Sequence, residues 1–208
     1  MKAAPYILTH SGAQVGYLPQ TDTPSIADIS LGLSRMPRFA GQTRVPYTVL
    51  DHSLFVLDMV TADAPAAFTL QLAALLHDAH EAMTGDVPTP FKTAALRDMQ
   101  DQLDARISEL VCVSGWDCLF YAYQPLVKKY DTCALLAEAL VIGPPSLRTP
   151  AHVAQHFGGT PDPRDVARLK QYMAHDLSVE VKRSLFAAMV EVLRQTRNDD
   201  GRRPGDDR

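Results

Sequence analysis

The chain is organised around the stretch Leu75-Leu76-His77-Asp78-Ala79-His80-Glu81. Apolar residues recur at helical spacing through residues 72–76, which predicts an amphipathic helix with its polar side chains on one side. Because residues three and four positions apart share a helix face, Glu81 is expected to lie over His77 and Asp78. An imidazole and two carboxylates on one apolar helix indicate a metal site or a proton-transfer site.

Length and composition limit the classes of protein that this chain can represent. Its 208 residues, 46% hydrophobic and 21% charged, predict one globular domain over residues 1–197, followed by a charged, disordered tail at 198–208. The net charge of −4 argues against a nucleic acid polymer as partner. We find no signal-peptide pattern and no apolar run that could span a bilayer, so we expect a cytoplasmic protein without a membrane partner.

Three cysteines without a CxxC motif (Cys112, Cys118 and Cys133) indicate reduced thiols, which agrees with a cytoplasmic location.

The N-terminal half predicts a small β element followed by helices. Apolar residues at 6–8 and 15–18 flank a Ser11-Gly12 turn signal, which favours a hairpin or an extended arm. Ser25 is a candidate N-cap for a helix that Pro37 ends, and a second helix is expected to begin near Thr48. The central helix is expected to run over residues 69–83 and to stop before Gly85.

The C-terminal half predicts further helices over residues 94–113 and 124–142. Residues 144–161 are rich in proline, glycine and threonine, which favours a long loop. Asp162 followed by Pro163 is typical of a helix start, and Ser178 is expected to cap the last helix. The predicted fold class is therefore an all-α bundle with a small N-terminal β hairpin or extended arm.

A metal site needs more ligands than two adjacent side chains of one helix can provide. Two further candidates lie on the neighbouring predicted helices: His52 upstream, and Asp131 downstream within an apolar helical segment. Imidazole and carboxylate ligands with open positions are typical of divalent metals that hydrolyse phosphate esters.

The order His52, His77-Asp78, Asp131 resembles that of the HD-domain metal-dependent phosphohydrolases. The match extends through residues 76–92, LHDAHEAMTGDVPTPFK, which look like the LLHDxxExxxGDxPTPxK run of the 5′-deoxynucleotidase branch. Upstream, residues 33–39 and 43–53 resemble the small HD proteins of bacteria and phages. The resemblance covers roughly residues 25–142 and leaves out the C-terminal third.

The resemblance implies a role for each matching residue. It implies an HD-type helical bundle in which His52, His77, Asp78 and Asp131 bind a divalent metal ion (Co, Mn, Mg, Zn, Fe or Ni). It further implies that Glu81 and Asp86 are catalytic and that Arg38, Phe39 and Lys92 bind the substrate. Phe39 departs from the tryptophan that is usual in the nucleotidases, and the family pattern gives no role to His80.

Ordinary structural roles compete with these functional ones. Asp131 is close to Lys128 and Lys129 in sequence and would then form surface ion pairs. Asp86 follows a glycine, as turn residues do. Arg38 would be a helix-terminal charge, replaced as a phosphate contact by Arg35 or Arg44, and Lys92 a solvated loop lysine. The second His-Asp pair, His175-Asp176, lacks the accompanying block and is interpreted as a helix-end pair.

The leading hypothesis is a 5′-deoxynucleotidase that releases phosphate from a deoxynucleoside monophosphate, with a small-molecule deoxynucleotide as its partner. The first alternative is a dNTP triphosphohydrolase, because phage-type relatives share the same metal ligands. The second alternative is a non-catalytic nucleotide-binding HD module. The relatives implied by the resemblance are commonly homo-oligomers, so a homo-oligomer is expected here.

Overall fold

Helices dominate the computed structural model, which describes residues 5–18, 21–111 and 117–200, without the side chains of 117–121 and 196–200. The predicted all-α class with a small hairpin is confirmed. The helices are α1 (Ile26–Leu33), α2 (Val49–Asp63), α3 (Phe68–Leu76), α4 (Glu81–Thr84), α5 (Ala94–Val111), α6 (Asp117–Val141), α7 (Pro150–Phe157), α8 (Pro163–Ala174) and α9 (Val179–Asp200).

The N-terminal element is a hairpin of two short antiparallel strands, β1 (Ile7–Leu8) and β2 (Gln14–Val15), in which Ile7 pairs with Val15 and Leu8 with Gln14. Arg106 on α5 holds the following segment, because its guanidinium donates to the carbonyl oxygens of Gly16 at 2.6 Å and Thr21 at 2.7 Å. The hairpin is thereby attached to the helical body.

Two capping boxes set the start of the first long helices. The Ser25 hydroxyl accepts from the Asp28 amide and the Asp28 carboxylate accepts from the Ser25 amide, as predicted for the start of α1. Thr48 and Asp51 make the same reciprocal pair at the start of α2. The second box fixes the phase of α2, so that His52 in its first turns faces the interior with none of its surface exposed.

The core surrounds α3, which packs against α2, α6 and α9. Each residue from Leu70 to Leu76 is buried, so this helix is enclosed on every side, as expected for a helix inside a bundle. Phe55 on α2 and Phe186 on α9 are among the largest fully buried side chains of this core. Residues that follow the C-terminus of α3 therefore emerge in the middle of the molecule.

Several sequence-based predictions are wrong in detail. The central helix does not continue from 69 to 83: α3 ends at Leu76, residues 77–80 form turns, and α4 begins at Glu81. The segment 144–161 is not a loop, because Thr149 caps α7, Pro150 occupies its first turn, and Gly158 ends it at φ 76°. In the first segment, the turn at 77–80 resembles helix interior in sequence. In the second, the residues that begin and end α7 resemble loop residues.

Other boundaries differ by less. The helix predicted over 124–142 begins earlier, at Asp117, and accommodates Pro125. The Asp162-Pro163 start of α8 is confirmed. Part of the tail predicted to be disordered, residues 198–200, belongs to α9, and residues 201–208 lie outside the described part of the chain, as do Cys112 and Trp116. Cys133 is a free thiol. Within the described residues, no helix is both long and apolar enough to cross a bilayer.

Candidate metal centre

Four side chains from three helical segments converge on one point. The Nε2 atom of His52 on α2 lies 3.2 Å from Nε2 of His77, 3.6 Å from Oδ2 of Asp78 and 3.2 Å from Oδ1 of Asp131 on α6. His77 Nε2 lies 3.3 Å from Asp78 Oδ2. The structure thus brings together the four residues that the sequence proposed as metal ligands.

The tautomers of both histidines are fixed by acceptors behind the rings. The Nδ1 atom of His77 lies 2.7 Å from the carbonyl oxygen of Ala74, which can only accept, so Nδ1 carries a proton. The Nδ1 atom of His52 lies 2.7 Å from Oε1 of Glu138, a carboxylate that likewise only accepts. In their neutral forms, both imidazoles therefore direct an Nε2 lone pair toward the other ring.

Two lone pairs 3.2 Å apart repel unless a positive charge lies between or beside them. Without a metal ion, protons supply it. Burial lowers the pKa of His52 and Arg38 adds to that effect, but Glu138 and Asp131 outweigh both and raise the pKa to about 10. Burial raises the pKa of Asp131, yet the hydrogen bond and charge of His52 hold it well below its usual range. The cluster is therefore built to hold positive charge.

A divalent cation fits this cluster. Ligand atoms of His52, His77 and Asp78 lie within 4.8 Å of one another, and the Asp131 oxygen approaches from the opposite helix. Two imidazole nitrogens and two carboxylate oxygens suit first-row divalent metals. The hydrogen bonds to Glu138 and Ala74 are the support that metal-binding histidines ordinarily receive at their second nitrogen.

The break after α3 orients the His77-Asp78 pair. Residues 77–80 keep helical dihedral angles at His77 (φ −60°, ψ −29°) and His80 (φ −60°, ψ −26°), but the Ala79 amide donates to Leu76 and the Glu81 amide donates to Asp78. These bonds span three residues instead of four, which tightens the turn. The Ala74 carbonyl, in the last turn of α3, accepts from Nδ1 of His77 at 2.7 Å.

Glu81 lies next to the cluster and is almost fully buried, with 1% of its surface exposed. Its Oε1 atom accepts from Lys92 Nζ at 3.3 Å, while Oε2 has no partner among the described residues. Burial, reinforced by Asp78 and Asp86, raises the pKa of Glu81 to about 7. A carboxyl group with that pKa can take up and release a proton near neutrality, as a general base or acid requires.

Arg38 and Asp86 complete the charged lining. Hydrogen bonds from the Arg38 amide to Tyr47 and from the Val49 amide to Met36 pin this segment against the start of α2. The Nη2 atom of Arg38 donates to Glu138 at 3.3 Å, whereas Nη1 lies 3.7 Å from Asp78 and 4.0 Å from Asp86. Because the last two distances exceed hydrogen-bond length, Nη1 keeps the capacity to bind an anion.

Phe39 lies beside Arg38 in an unusual backbone conformation. Phe39 (φ 54°), Ala40 (φ 52°) and Gly41 (φ 75°) form three consecutive left-handed residues. The Phe39 ring packs against the small apolar cluster of Leu136, Ala139, Leu147 and Val153, with the Arg38 guanidinium carbon 5.8 Å from its centroid. The ring is thus partly engaged by the protein itself.

Asp131 combines the two roles considered from sequence. Its Oδ2 atom forms an ion pair with Lys128 at 2.6 Å, and its Oδ1 atom faces His52 at 3.2 Å. Both residues line a cavity of about 420 Å³, together with His77 and Asp78, with Asp104 and Gln124, and with the apolar Ala73, Pro125 and Val127. The cavity opens directly onto the cluster and has the size of a small-molecule site.

Sequence reasoning missed Glu138, which organises the site from behind. Its carboxylate is fully buried and binds His52, accepts from the Tyr47 hydroxyl at 3.0 Å, and receives Nη2 of Arg38. A usable signal existed: a glutamate in the apolar run Leu135-Leu136-Ala137-Glu138-Ala139-Leu140, two helical turns after Asp131. A buried charge at that position predicts a paired partner.

His80, which had no predicted role, also has a defined partner. Its Nδ1 atom lies 2.8 Å and 3.0 Å from the two carboxylate oxygens of Asp104 on α5. Burial lowers the pKa of His80, but the hydrogen bond and charge of Asp104 raise it overall. Sequence gave no signal for this pair, because Asp104 lies in an ordinary amphipathic helix.

Comparisons with known proteins give relatives without an assigned activity. No family model matches the chain. An uncharacterized protein of Rhodobacter capsulatus is 38% identical over 105 residues, which are 49% of this chain and 53% of that protein. The uncharacterized protein YfdR of Escherichia coli strain K12 is 35% identical over 107 residues, 50% of this chain and 57% of that protein. The matched part thus spans about half the length of each of these curated relatives.

Proposed function

We propose that this chain is a metal-dependent phosphohydrolase of the HD type that acts on deoxynucleotides, with a 5′-deoxynucleotidase as the specific activity. The observation that carries the proposal is the pair of Nε2 atoms of His52 and His77, which face each other at 3.2 Å between Asp78 and Asp131. Glu81 lies directly beside this cluster. The sequence resemblance through residues 76–92 supplies the substrate class.

In the proposed reaction, water attacks the phosphorus of a deoxynucleoside monophosphate and the bond to the 5′ oxygen breaks. A divalent ion held by His52, His77, Asp78 and Asp131 would polarise a phosphoryl oxygen and acidify a bound water. Glu81 accepts the proton of the attacking water, because its raised pKa of about 7 makes it an effective base near neutrality. The proton taken up by Glu81 then passes to the departing 5′ oxygen, which gives a deoxynucleoside and inorganic phosphate and restores the carboxylate.

Two cationic groups are placed to hold the phosphate against this acidic lining. Arg38 presents Nη1, whose contacts with Asp78 and Asp86 are longer than hydrogen bonds. Lys92 lies 3.3 Å from Glu81, with 18% of its side chain exposed, and reaches the same side of the cluster. Both charges offset the repulsion between a phosphate dianion and the carboxylates.

The lining of the cavity favours a monophosphate over a triphosphate. Among its described lining residues, Lys128 is the one cation, and it is already paired with Asp131. A triphosphate brings about two further negative charges, which call for more cationic groups than this wall offers. The apolar Ala73, Pro125 and Val127 instead provide a surface for a base or sugar.

The test is an HPLC assay of the metal-loaded protein on panels of deoxynucleoside mono- and triphosphates. We expect inorganic phosphate from monophosphates. We expect Glu81→Gln to lower kcat by about 10²–10⁴-fold while the metal held by His52, His77, Asp78 and Asp131 is retained, because the amide keeps the shape of the side chain but cannot accept the proton. Glu109→Gln, the same change at an exposed position of α5, should leave kcat unchanged.

Three outcomes would overturn parts of this proposal. Release of intact triphosphate from a dNTP would replace the nucleotidase with a triphosphohydrolase at the same site. Metal binding without turnover on either panel would reduce the protein to a nucleotide-binding module. Near-normal kcat in Glu81→Gln would remove Glu81 from the proton transfer.

A further inference from the structure

A second group of ligand atoms lies beside the first and is not used by it. One ring nitrogen of His80 and one carboxylate oxygen from each of Asp78 and Glu81 lie within 4.8 Å of one another. All three side chains are largely buried: the exposed side-chain fraction is 9% for His80, 16% for Asp78 and 2% for Glu81. Asp78 belongs to both groups, so the two are contiguous.

Two buried polar atoms in this second group have no partner among the described residues. They are Nε2 of His80 and Oε2 of Glu81. Their sister atoms are occupied, since Nδ1 of His80 is bound by Asp104 and Oε1 of Glu81 by Lys92. A buried donor or acceptor without a partner costs about 1–3 kcal/mol, so two such atoms side by side indicate that a ligand binds between them.

The hydrogen bond to Asp104 occupies Nδ1 of His80 and leaves Nε2 to bind that ligand. A carboxylate can only accept, so in the neutral form of His80, the form that binds a metal, Nδ1 carries the proton and Nε2 presents a lone pair. Carboxylate, histidine and metal in series is the common arrangement around a metal-binding imidazole. Asp104 thus accepts from Nδ1 of His80 in the same way as Glu138 accepts from Nδ1 of His52.

We propose that Asp78, His80 and Glu81 form a second divalent-cation site, in which the Asp78 carboxylate bridges to the ion held by His52, His77 and Asp131. One imidazole and two carboxylates form a harder ligand set, in the hard–soft sense, than the two imidazoles and two carboxylates of the first site. The second site therefore suits Mn²⁺ or a similar ion. Two-metal phosphohydrolase centres hold their ions about 3.5–4 Å apart, a spacing that a shared carboxylate allows.

The charge of the lining supports a second cation. The lining contains six carboxylates and three cationic side chains paired with them, so its net charge is −3 when the histidines are neutral. The acids are Asp78, Glu81, Asp86, Asp104, Asp131 and Glu138, and the cations are Arg38, Lys92 and Lys128. One divalent ion reduces this to −1, and a phosphate dianion returns it to −3. A second divalent ion brings the occupied site back to −1.

This inference rests on the proposed function, because it adds an ion to the same site, and it refines the role of Glu81. The oxygen without a partner, Oε2, would bind the second ion. The Lys92-paired oxygen, Oε1, remains to accept the proton of water. A second cation would also hold a phosphate oxygen, adding to the contacts proposed for Arg38 and Lys92.

The experiment is a Mn²⁺ titration of the full chain after removal of metal by a chelator. Bound Mn²⁺ per chain is counted by mass spectrometry after desalting, and low-temperature electron paramagnetic resonance reports whether two ions are coupled. We expect two Mn²⁺ per wild-type chain with an exchange-coupled spectrum. His80→Ala should bind one Mn²⁺ with an uncoupled six-line spectrum, and Asp104→Asn should weaken only the second site, by about 10–100-fold.

Two further variants guard the interpretation. His80→Asn keeps a donor for Asp104 and should also bind one ion, while retention of that ion reports an intact fold. His175→Ala, at the exposed second His-Asp pair, should retain two. One Mn²⁺ per wild-type chain, or a coupled pair in His80→Ala and His80→Asn, would overturn the second site. The metal count does not depend on turnover: two ions without phosphate release refute only the proposed function, and phosphate release with one ion refutes only this inference.

Discussion

The chain contains the dipeptide His-Asp twice, and in both copies the histidine is the C-cap of a helix. His77 is the C-cap of α3 with φ −60° and ψ −29°, and His175 is the C-cap of α8 with φ −72° and ψ −16°. Their surroundings differ. His77 and Asp78 face His52 and Asp131 inside the bundle, whereas His175 and Asp176 are both exposed.

The difference lies in where the two helices end. Helix α3 is buried on every side and packs against α2, α6 and α9, so its last residue delivers the dipeptide between other helices. Helix α8 buries little more than Leu169 and ends at the surface. The dipeptide therefore acquires a chemical role from the position of its helix in the bundle, and local sequence alone does not decide it.

The sharpest test of this comparison is the same isosteric change in both pairs. Asp78→Asn removes the charge of a proposed ligand, so divalent-metal affinity and phosphate release should fall by more than the roughly 10–100-fold typical of residues behind the ligands. Asp176→Asn should change neither, since asparagine tolerates the φ of 41° found there. Calorimetric metal titration and the phosphate assay measure both. Equal losses in the two variants would show that the comparison is mistaken.

A smaller effect is expected from the support behind the ligands. Glu138→Gln keeps the size of the side chain but removes the buried charge that binds His52 and Arg38. We expect metal affinity to fall by about 10–100-fold. Glu109→Gln serves again as the exposed control. Unchanged affinity in Glu138→Gln, measured by the same titration, would leave Glu138 with a purely structural role.

The pH dependence of stability should distinguish the buried cluster around His52 from the exposed His175-Asp176 pair. In the metal-free protein, the pKa of His52 rises from its ordinary 6.5 to about 10 on folding. The resulting stability is fully present below pH 6.5 and is lost as pH rises toward 10. We expect the Tm of the metal-free protein to fall by several degrees over this range, since 1 kcal/mol corresponds to about 2–4 °C in a chain of this size.

Metal loading should remove most of that decline, because the ion replaces the proton. His175→Ala should leave the Tm profile of the metal-free protein as it is. Thermal unfolding at intervals from pH 6 to pH 10, with and without Mn²⁺, makes the comparison. Parallel profiles for the two states would contradict the idea that protons substitute for metal at His52.

The smallest effect concerns the exposed ion pair of Asp131, a proposed ligand. Lys128 is 76% exposed at its side chain, so its pair with Asp131 is screened by water. Lys128→Met should change the free energy of unfolding by less than about 1 kcal/mol and leave metal affinity within a few-fold. A large loss of metal would mean that Lys128, and not the interior contact with His52, positions the Asp131 carboxylate.

The parts of the fold that sequence predicted are those in which one short-range rule decides. Capping signals located the starts of α1, α2 and α8, because the cap and its partner lie three or fewer residues apart. The break at 77–80 was missed because these residues retain helical dihedral angles and only their hydrogen bonds change. Helix α7 was missed because its Pro150 and Gly158 were taken as loop signals instead of helix ends.

The candidate site likewise contains residues that the sequence predicted and residues that it did not. The sequence pattern proposed His52, His77, Asp78 and Asp131, and the structure places ligand atoms of the last three within 3.6 Å of Nε2 of His52. Glu138 and Asp104 were not proposed, since each acts by facing a histidine that is distant in sequence. The apolar run around Glu138 signals a buried, paired charge, but which residue each of these carboxylates faces depends on how the helices pack.

The end of α3 at Leu76 also has an electrostatic consequence for whatever occupies the centre. The aligned peptide dipoles of a helix place about half a negative elementary charge at its C-terminus, within the last turn. Here that turn carries His77 and supplies the Ala74 carbonyl that fixes its ring. The backbone therefore adds its own attraction for a cation to that of the carboxylates. Mutation of the ligand side chains does not remove that attraction, which is worth about 0.3–1 kcal/mol for a charge at a helix terminus.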